Sequence, residues 1–314
     1  MSIAASSPRK HTNHIRRTMN DRWAKIVAYV IVGLFGLVCL YPLLLTVTVS
    51  LTPERVIDRD GFRLIPAEFS LDTYTYIFAH SGERILRSYG VTTLVTVAGT
   101  FFSMLVTCMI SYAISLREMK YRNVIAFICN FTTIFSAGLV PWYMNMLMLG
   151  LTDNFLAYII PGMVAPYNII LVKTYIESIP ASLEESATID GATTTKVFLR
   201  IILPLSVPIL ATISIFGAVG NWNSFQDSLL LMSGRPDLYT LQHRLYVYLN
   251  TTSNLGAVMN AGAGGVNTAA AQSLLNTKVI KYTVSMVTII PILLVYPFMQ
   301  RFFVKGIMLG AVKG

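Results

Sequence analysis

Long apolar runs alternate with short polar breaks along the chain, and the runs are long enough to cross a bilayer, whose hydrocarbon core asks for about 20 helical residues. Six are read, at about 23–50, 88–116, 123–147, 154–174, 201–232 and 279–304. Together they predict an all-α polytopic membrane protein with six transmembrane helices. The first run is too long for a cleaved leader and lacks a small-residue cleavage site, so it reads as an anchor. Trp23 and Tyr41 fit interfacial positions on it. Pro161 and Pro166 predict a kink in the fourth run, and Pro291 and Pro297 interrupt the sixth. Residues 1–22 form a basic cytosolic segment, and 23–314 one transmembrane domain. External loops are expected at 51–87 and 233–278, the second holding a Gly/Ala/Asn-rich stretch (NAGAGGVNTAAA) that reads as a mobile part. No internal repeat is evident.

Composition agrees. Of the 314 residues 54% are hydrophobic and 12% charged, about half the charge of an ordinary soluble domain. A net charge of +9 could suggest nucleic acid, but its placement argues otherwise. With the N-terminus inside, 15 of the 24 Lys and Arg and six of the 15 acids fall on the cytosolic side, leaving +9 inside and zero outside. The positive-inside rule absorbs the whole excess, so no nucleic-acid partner is expected. Cys39, Cys108 and Cys129 lie in apolar runs without CxxC spacing and read as small core residues.

The longest cytosolic polar interruption is Ser182 to Pro208, SLEESATIDGATTTKVFLRIILPLSVP, which overlaps a loop read at 177–200 and runs into the fifth span. Ser182 and Glu185 have the spacing of a capping box. Leu183, Ala187 and Ile189 give a short helix apolar surface, and Gly191 sits where it would stop, in a turn with positive φ. A second helix starts around Thr193–Thr195 and runs into the fifth span. Helix, glycine corner and helix make a knob that protrudes from the membrane.

Glu185-Ser186-Ala187, three residues, Gly191, nine residues and then Ile201-x-Leu203-Pro204 resembles the EAA loop of ABC importer permeases, departing only in Ser186 at the middle alanine. The wider wording, SLEESATIDGA and ILPLSVPILAT, is similar to the carbohydrate-uptake branch, in the group of the maltose permease's smaller subunit. The resemblance implies the type I ABC importer permease fold with a cytosolic coupling helix, in which this loop sits in a groove of an ATPase subunit. By resemblance Glu185 pairs with a basic residue there. Glu184 is the competing carboxylate, and Ser186, Ala187, Asp190 and Gly191 complete the coupling segment. The terminal GAVKG resembles a tail reaching between two ATPase subunits, or is simply an exposed basic tail.

The fifth span carries GNWNSFQD at 220–227. About 20 residues in, at 1.5 Å each, this lies between the bilayer middle and its outer face. On one helix Asn223 and Asp227 would share a face beside Gly220, and Trp222 the next with Gln226. Facing lipid, Asn221, Asn223, Gln226 and Asp227 would cost several kcal/mol, so they face partner helices or a wet cavity. Planar polar groups around an aromatic platform suit a sugar. Hydrogen bonds to neighbouring helices or a partner permease suit the same residues. Tyr143 and Asn145, with Trp142, line the path or belong to a headgroup belt.

No GxxxxGK[ST] occurs and GAGGV follows no strand. The four histidines have no metal spacing, and no nucleophile–base constellation stands out. The chain reads as a non-enzyme carrying no cofactor or metal, with ATP and Mg on a partner. The resemblance implies a permease subunit of an ATP-driven importer in a bacterial inner (plasma) membrane, multi-pass, with both termini cytoplasmic. It implies a second permease as heterodimer partner, two ATPase subunits, an extracytoplasmic binding protein that delivers a carbohydrate, and surrounding lipid. An importer of a non-sugar solute is the alternative. A secondary transporter fits less well, because Asp227 is the one acid read inside a span and no repeat is seen.

Overall fold

The computed structural model describes residues 19–260 and 277–311. Residues 1–18 of the basic segment, the Gly/Ala/Asn-rich stretch from 261 and the last three residues of the tail lie outside the described residues. All regular structure among the described residues is helical. Among the described residues three helices are long and apolar enough to cross a membrane alone. They are α1 (Met19–Ser50), α3 (Asp72–Ser115) and α13 (Thr277–Ala311). Between α1 and α3 lies the short α2 (Glu54–Asp60), so part of the stretch read as an external loop is helical. The same stretch loses 72–87 to α3, whose 44 residues make a rod about 66 Å long.

The other spans are interrupted. The third divides into α4 (Arg122–Ile134) and α5 (Leu139–Met148), separated where Phe135 turns extended and Gly138 takes φ +89°. The fourth is a 3₁₀ turn at Phe155–Tyr158 followed by α6 (Pro166–Ile176), so the expected kink is a full break. The reason is local: Pro166 suits the first helical position, and it holds Ala165 extended, which stops any helix from entering from before.

The fifth span follows the knob helix α7 (Ala181–Ile189) through α8 (Thr194–Val197), a π-turn at Phe198–Ile202 and α9 (Leu203–Leu205). It then bends by 74° into α10 (Val207–Asn223). In an α-helix the Pro204 ring would strike the Arg200 carbonyl. The widened turn, in which Leu203 N–H bonds Phe198 O, takes up that clash. Pro204 and Pro208 flank the corner at Ser206, itself buried. A six-residue helix, α11 (Gln226–Leu231), a 3₁₀ turn at Pro236–Leu238 and α12 (Leu241–Asn260) complete the end of the bundle away from the knob.

α3 is the axis of the bundle and packs most extensively on α10 and α6. Gly99 is what lets α10 come close: a Cβ there would lie 3.0 Å from Asn221 Nδ2. Near the knob, Tyr112, Val172, Ile176, Val197, Ile202 and Ile213 form one apolar cluster. Towards the other end Val91, Val95, Met146, Tyr158, Leu231 and Met232 lie in a second. α1 packs chiefly on α13 and is exposed along its apolar length, as a lipid-facing rod would be. Cys39 is exposed on it, against the expectation of a core position; Cys108 and Cys129 are buried.

Candidate functional site

The knob is held by local chemistry at both ends of α7. The helix starts at Ala181, because Pro180, with φ fixed at −57°, already offers its carbonyl to Leu183 N–H at 3.1 Å. Ser182 is therefore inside the first turn, and no side chain caps α7. The expected capping box does not form. Glu185 is consequently free of a local bond and exposed, while Glu184 is half-buried. Burial raises the Glu184 carboxyl above its ordinary range.

At the other end the chain stops as the sequence predicts. Gly191 has φ +77°, its N–H bonds Thr188 O at 3.0 Å, and Ala192 N–H reaches Ala187 O at 2.9 Å. This pair of bonds satisfies the last carbonyls of α7. Thr193 then accepts from Lys196 N–H and starts α8. Ala187 and Ala192 pack on the Tyr112 cluster, where Tyr112 stacks on Phe198 at 4.8 Å and donates to Thr194 O. One face of α7 is thus seated on the bundle. The opposite face presents Ser182, Glu185, Ser186 and Ile189, spaced i, i+3, i+4 and i+7. Ile189, read as part of the helix's apolar surface, is 86% exposed. Asp190 is exposed beside it.

The second candidate group does not sit on one helix. α10 ends at Asn223, Ser224 is extended (φ −71°, ψ 128°), and α11 begins at Gln226. Asn223 and Asp227 therefore do not share a helical face, and neither do Trp222 and Gln226. Asn221 donates to Thr100 Oγ1 at 3.3 Å. Trp222 donates its indole N–H to the Thr288 carbonyl at 3.4 Å and leans on Tyr89, ring centroids 6.2 Å apart. Both bind helices together. Asp227 is half-buried and accepts from Ser224. Tyr143, half-buried with Trp142, packs on the Val91–Met232 cluster, whereas Asn145 is exposed. Asn223 and Gln226 are exposed, and Asn223 continues an open face of α10 through Phe216, Val219 and Gly220.

Sequence reasoning missed the frame around that break. Leu241 N–H donates to Thr92 Oγ1 (2.9 Å), Arg244 Nε to Ser88 Oγ (3.2 Å), and Thr240 Oγ1 to Ser224 O (3.3 Å). Buried His243 meets Ser228 Oγ through Nδ1 at 2.8 Å. Asp237, held between Arg235 and Arg87, has its carboxyl drawn down to about 2, mainly by the hydrogen bond from Arg235. The one sequence signal was His243-Arg244 beside a run of aromatics, inside what reads as a loop.

A bundle of broken apolar helices, a knob with one seated and one open face, and an open strip beside a polar break are the features of a membrane permease. The chain belongs to the family described as binding-protein-dependent transport system inner membrane component, which matches residues 15–309. It is an inner-membrane transport component with the type I permease fold. It is 37% identical over 297 residues to the polygalacturonan/rhamnogalacturonan transport system permease protein YtcP of Bacillus subtilis (strain 168), covering 94% of this chain and 100% of that one. The arabinooligosaccharides transport system permease protein AraQ of Halalkalibacterium halodurans is 28% identical, over 88% of this chain and 92% of its own. A solved bacterial ABC transporter involved in the import of the acidic polysaccharide alginate contains a chain that superposes with TM-score 0.78 at 30% identity, covering 91% of this chain and 98% of that one.

Proposed function

We propose that this chain forms half of the path by which an ATP-driven importer carries a sugar or oligosaccharide inward. A second permease supplies the other half, an extracytoplasmic binding protein delivers the cargo, and two separate ATPase subunits do the work. The observation that carries this reading is the two-faced α7. Ala187 and Ala192 fix it to the bundle, and the exposed Ser182, Glu185, Ser186 and Ile189 are left for another protein. A short helix rigid on one side and open on the other transmits displacement instead of absorbing it. Glu185 is the carboxylate that pairs with the ATPase, because Glu184 faces its own bundle. α7 lies between the fourth and fifth spans, which puts it on the side of the N-terminus, with both termini cytoplasmic. ATP binding closes the ATPases and carries α7 with them, the path opens outward, and hydrolysis resets it.

The carbohydrate cargo is supported by the relatives, which serve polygalacturonan, arabinooligosaccharides and alginate. The test is to purify the complex with its sister permease and ATPase and to measure ATP hydrolysis against binding protein loaded with galacturonate, arabinose, galactose or mannuronate oligomers. Stimulation by one carbohydrate class supports the reading. Stimulation only by a non-sugar solute overturns it.

A further inference from the structure

The aromatic platform expected at Trp222 is not available there, because that indole is spent on α13. A different platform stands at the break. Phe225 stacks on Tyr246 of α12, with centroids 5.1 Å apart and planes 23° from parallel. Gln242, one turn before Tyr246 on the same face of α12, donates through Nε2 to Asn223 Oδ1 at 3.1 Å. Gln226 is exposed at the start of α11. Four side chains from α10, the break and α12 thus gather at one place, with Gln226 next to Phe225 in the chain. Two are stacked rings and two are hydrogen-bonded primary amides.

This is the surface chemistry that a pyranose asks for. Its C–H face covers an aromatic ring, and its hydroxyls exchange hydrogen bonds with planar amides that both donate and accept. The opportunity is real because Tyr246 keeps 38% of its surface open and Asn223 is exposed. The group is also preorganised. Four hydrogen bonds, to Thr92, Ser88, Ser224 and Ser228, fix the first turn of α12 against α3, the break and α11. A ring held this way costs little ordering entropy when a ligand arrives. The group also opens onto the uncovered α10 strip of Gly220, Val219 and Phe216, the direction in which cargo would leave.

We infer that Asn223, Phe225, Gln226, Gln242 and Tyr246 form a sugar subsite at the outer end of the fifth span, where a single pyranose ring lies on Tyr246 as it leaves the binding protein. The inference rests on the carbohydrate reading above.

The experiment uses the whole complex in proteoliposomes, with binding protein loaded with the oligosaccharide that best stimulates the wild type. Tyr246→Ala cuts uptake by about tenfold, the loss of one aromatic stack. Tyr246→Phe, which keeps the ring, restores uptake. The thermal unfolding temperature of the alanine complex stays close to that of the wild type, since the four hydrogen bonds that frame α12 do not involve Tyr246. A purely structural Tyr246 would lower uptake and unfolding temperature together. That outcome, or unchanged uptake in Tyr246→Ala, overturns the subsite and leaves the carbohydrate reading standing. A wild-type complex that moves no carbohydrate overturns the reading itself. If the alanine complex fails to assemble, Gln242→Ala is judged by the same two criteria.

Discussion

Tyr89 donates its phenolic hydroxyl to the carbonyl of Val287. That carbonyl is four residues before Pro291, which lies inside α13 and has no N–H to serve it. In a bilayer no water would make good the loss, so a side chain on α3 completes the backbone of α13. Trp222 adds a second clamp at Thr288 O, from α10. The proline is tolerated because the bundle supplies its missing partner.

Tyr89→Phe should destabilise the detergent-purified complex by about 1 kcal/mol, the usual worth of such a bond inside a membrane bundle. Pro291→Ala restores the backbone donor, so in that background Tyr89→Phe should cost close to nothing. Thermal unfolding of the four proteins gives the coupling directly. Strictly additive losses would show that Tyr89 does not stand in for the absent N–H.

The two adjacent glutamates of α7 should separate cleanly. Reversing a charge at a protein contact typically costs about 2–5 kcal/mol, well beyond tenfold. Glu185→Lys should therefore abolish binding-protein-stimulated ATP hydrolysis in an otherwise assembled complex. Glu184→Gln keeps shape and removes a charge that burial already disfavours, so stimulation should survive it within about twofold. The reverse ranking would reassign the pairing carboxylate.

A tight clasp joins the entry to the fourth span with the exit of α11. Asp153, in the left-handed region at φ +53°, accepts from Gly234 N–H at 2.9 Å, and a Cβ on Gly234 would lie 2.6 Å from Asp153 Oδ2. Gly234→Ala should cost about 1–2 kcal/mol. The clash disappears with the carboxylate, so adding Asp153→Ala should cost less than the two single losses together. Melting temperatures of the double-mutant cycle decide it.

His243 makes the frame of α12 pH-sensitive in a defined direction. Burial, then the Arg244 charge beside it, pulls the imidazole down to about 4, and Ser228, Thr240 and Tyr239 are its other close neighbours. A folded value below the unfolded one means that protonation opposes the fold. The stabilisation is present above about pH 6.5 and drains away as pH falls towards about 4. The complex should melt lower at about pH 5 than at about pH 7.5, and His243→Gln should flatten that difference. An equal slope in the variant would place the pH response elsewhere.

How much of this was legible depends on how local each determinant is. Gly191 and Thr193 act on their own turns, so the end of α7 and the start of α8 could be read directly. The capping box failed by two residues, because Pro180 with its rigid backbone takes the cap position and leaves Ser182 inside the first turn. The break at Ser224 left no trace in a run whose polar residues suit one helix or two. The fate of Trp222 is set by Tyr89 and Thr288, far away in sequence. The frame of α12 hangs on Thr92, Ser88 and Ser228 in the same way. Long-range partners of this kind turn an apparent loop into an ordered wall.

The corner at Ser206 makes the fifth span a crank. Its arm, α10, has 17 residues and is about 25 Å long. A swivel of about 10° where α7 to α9 meet that arm would sweep Asn223 sideways by about 4 Å, by the same helix rise. A throw of that size matches the width of a sugar hydroxymethyl group or a water file, so a modest twist at one side of the membrane suffices to part or close a seam at the other.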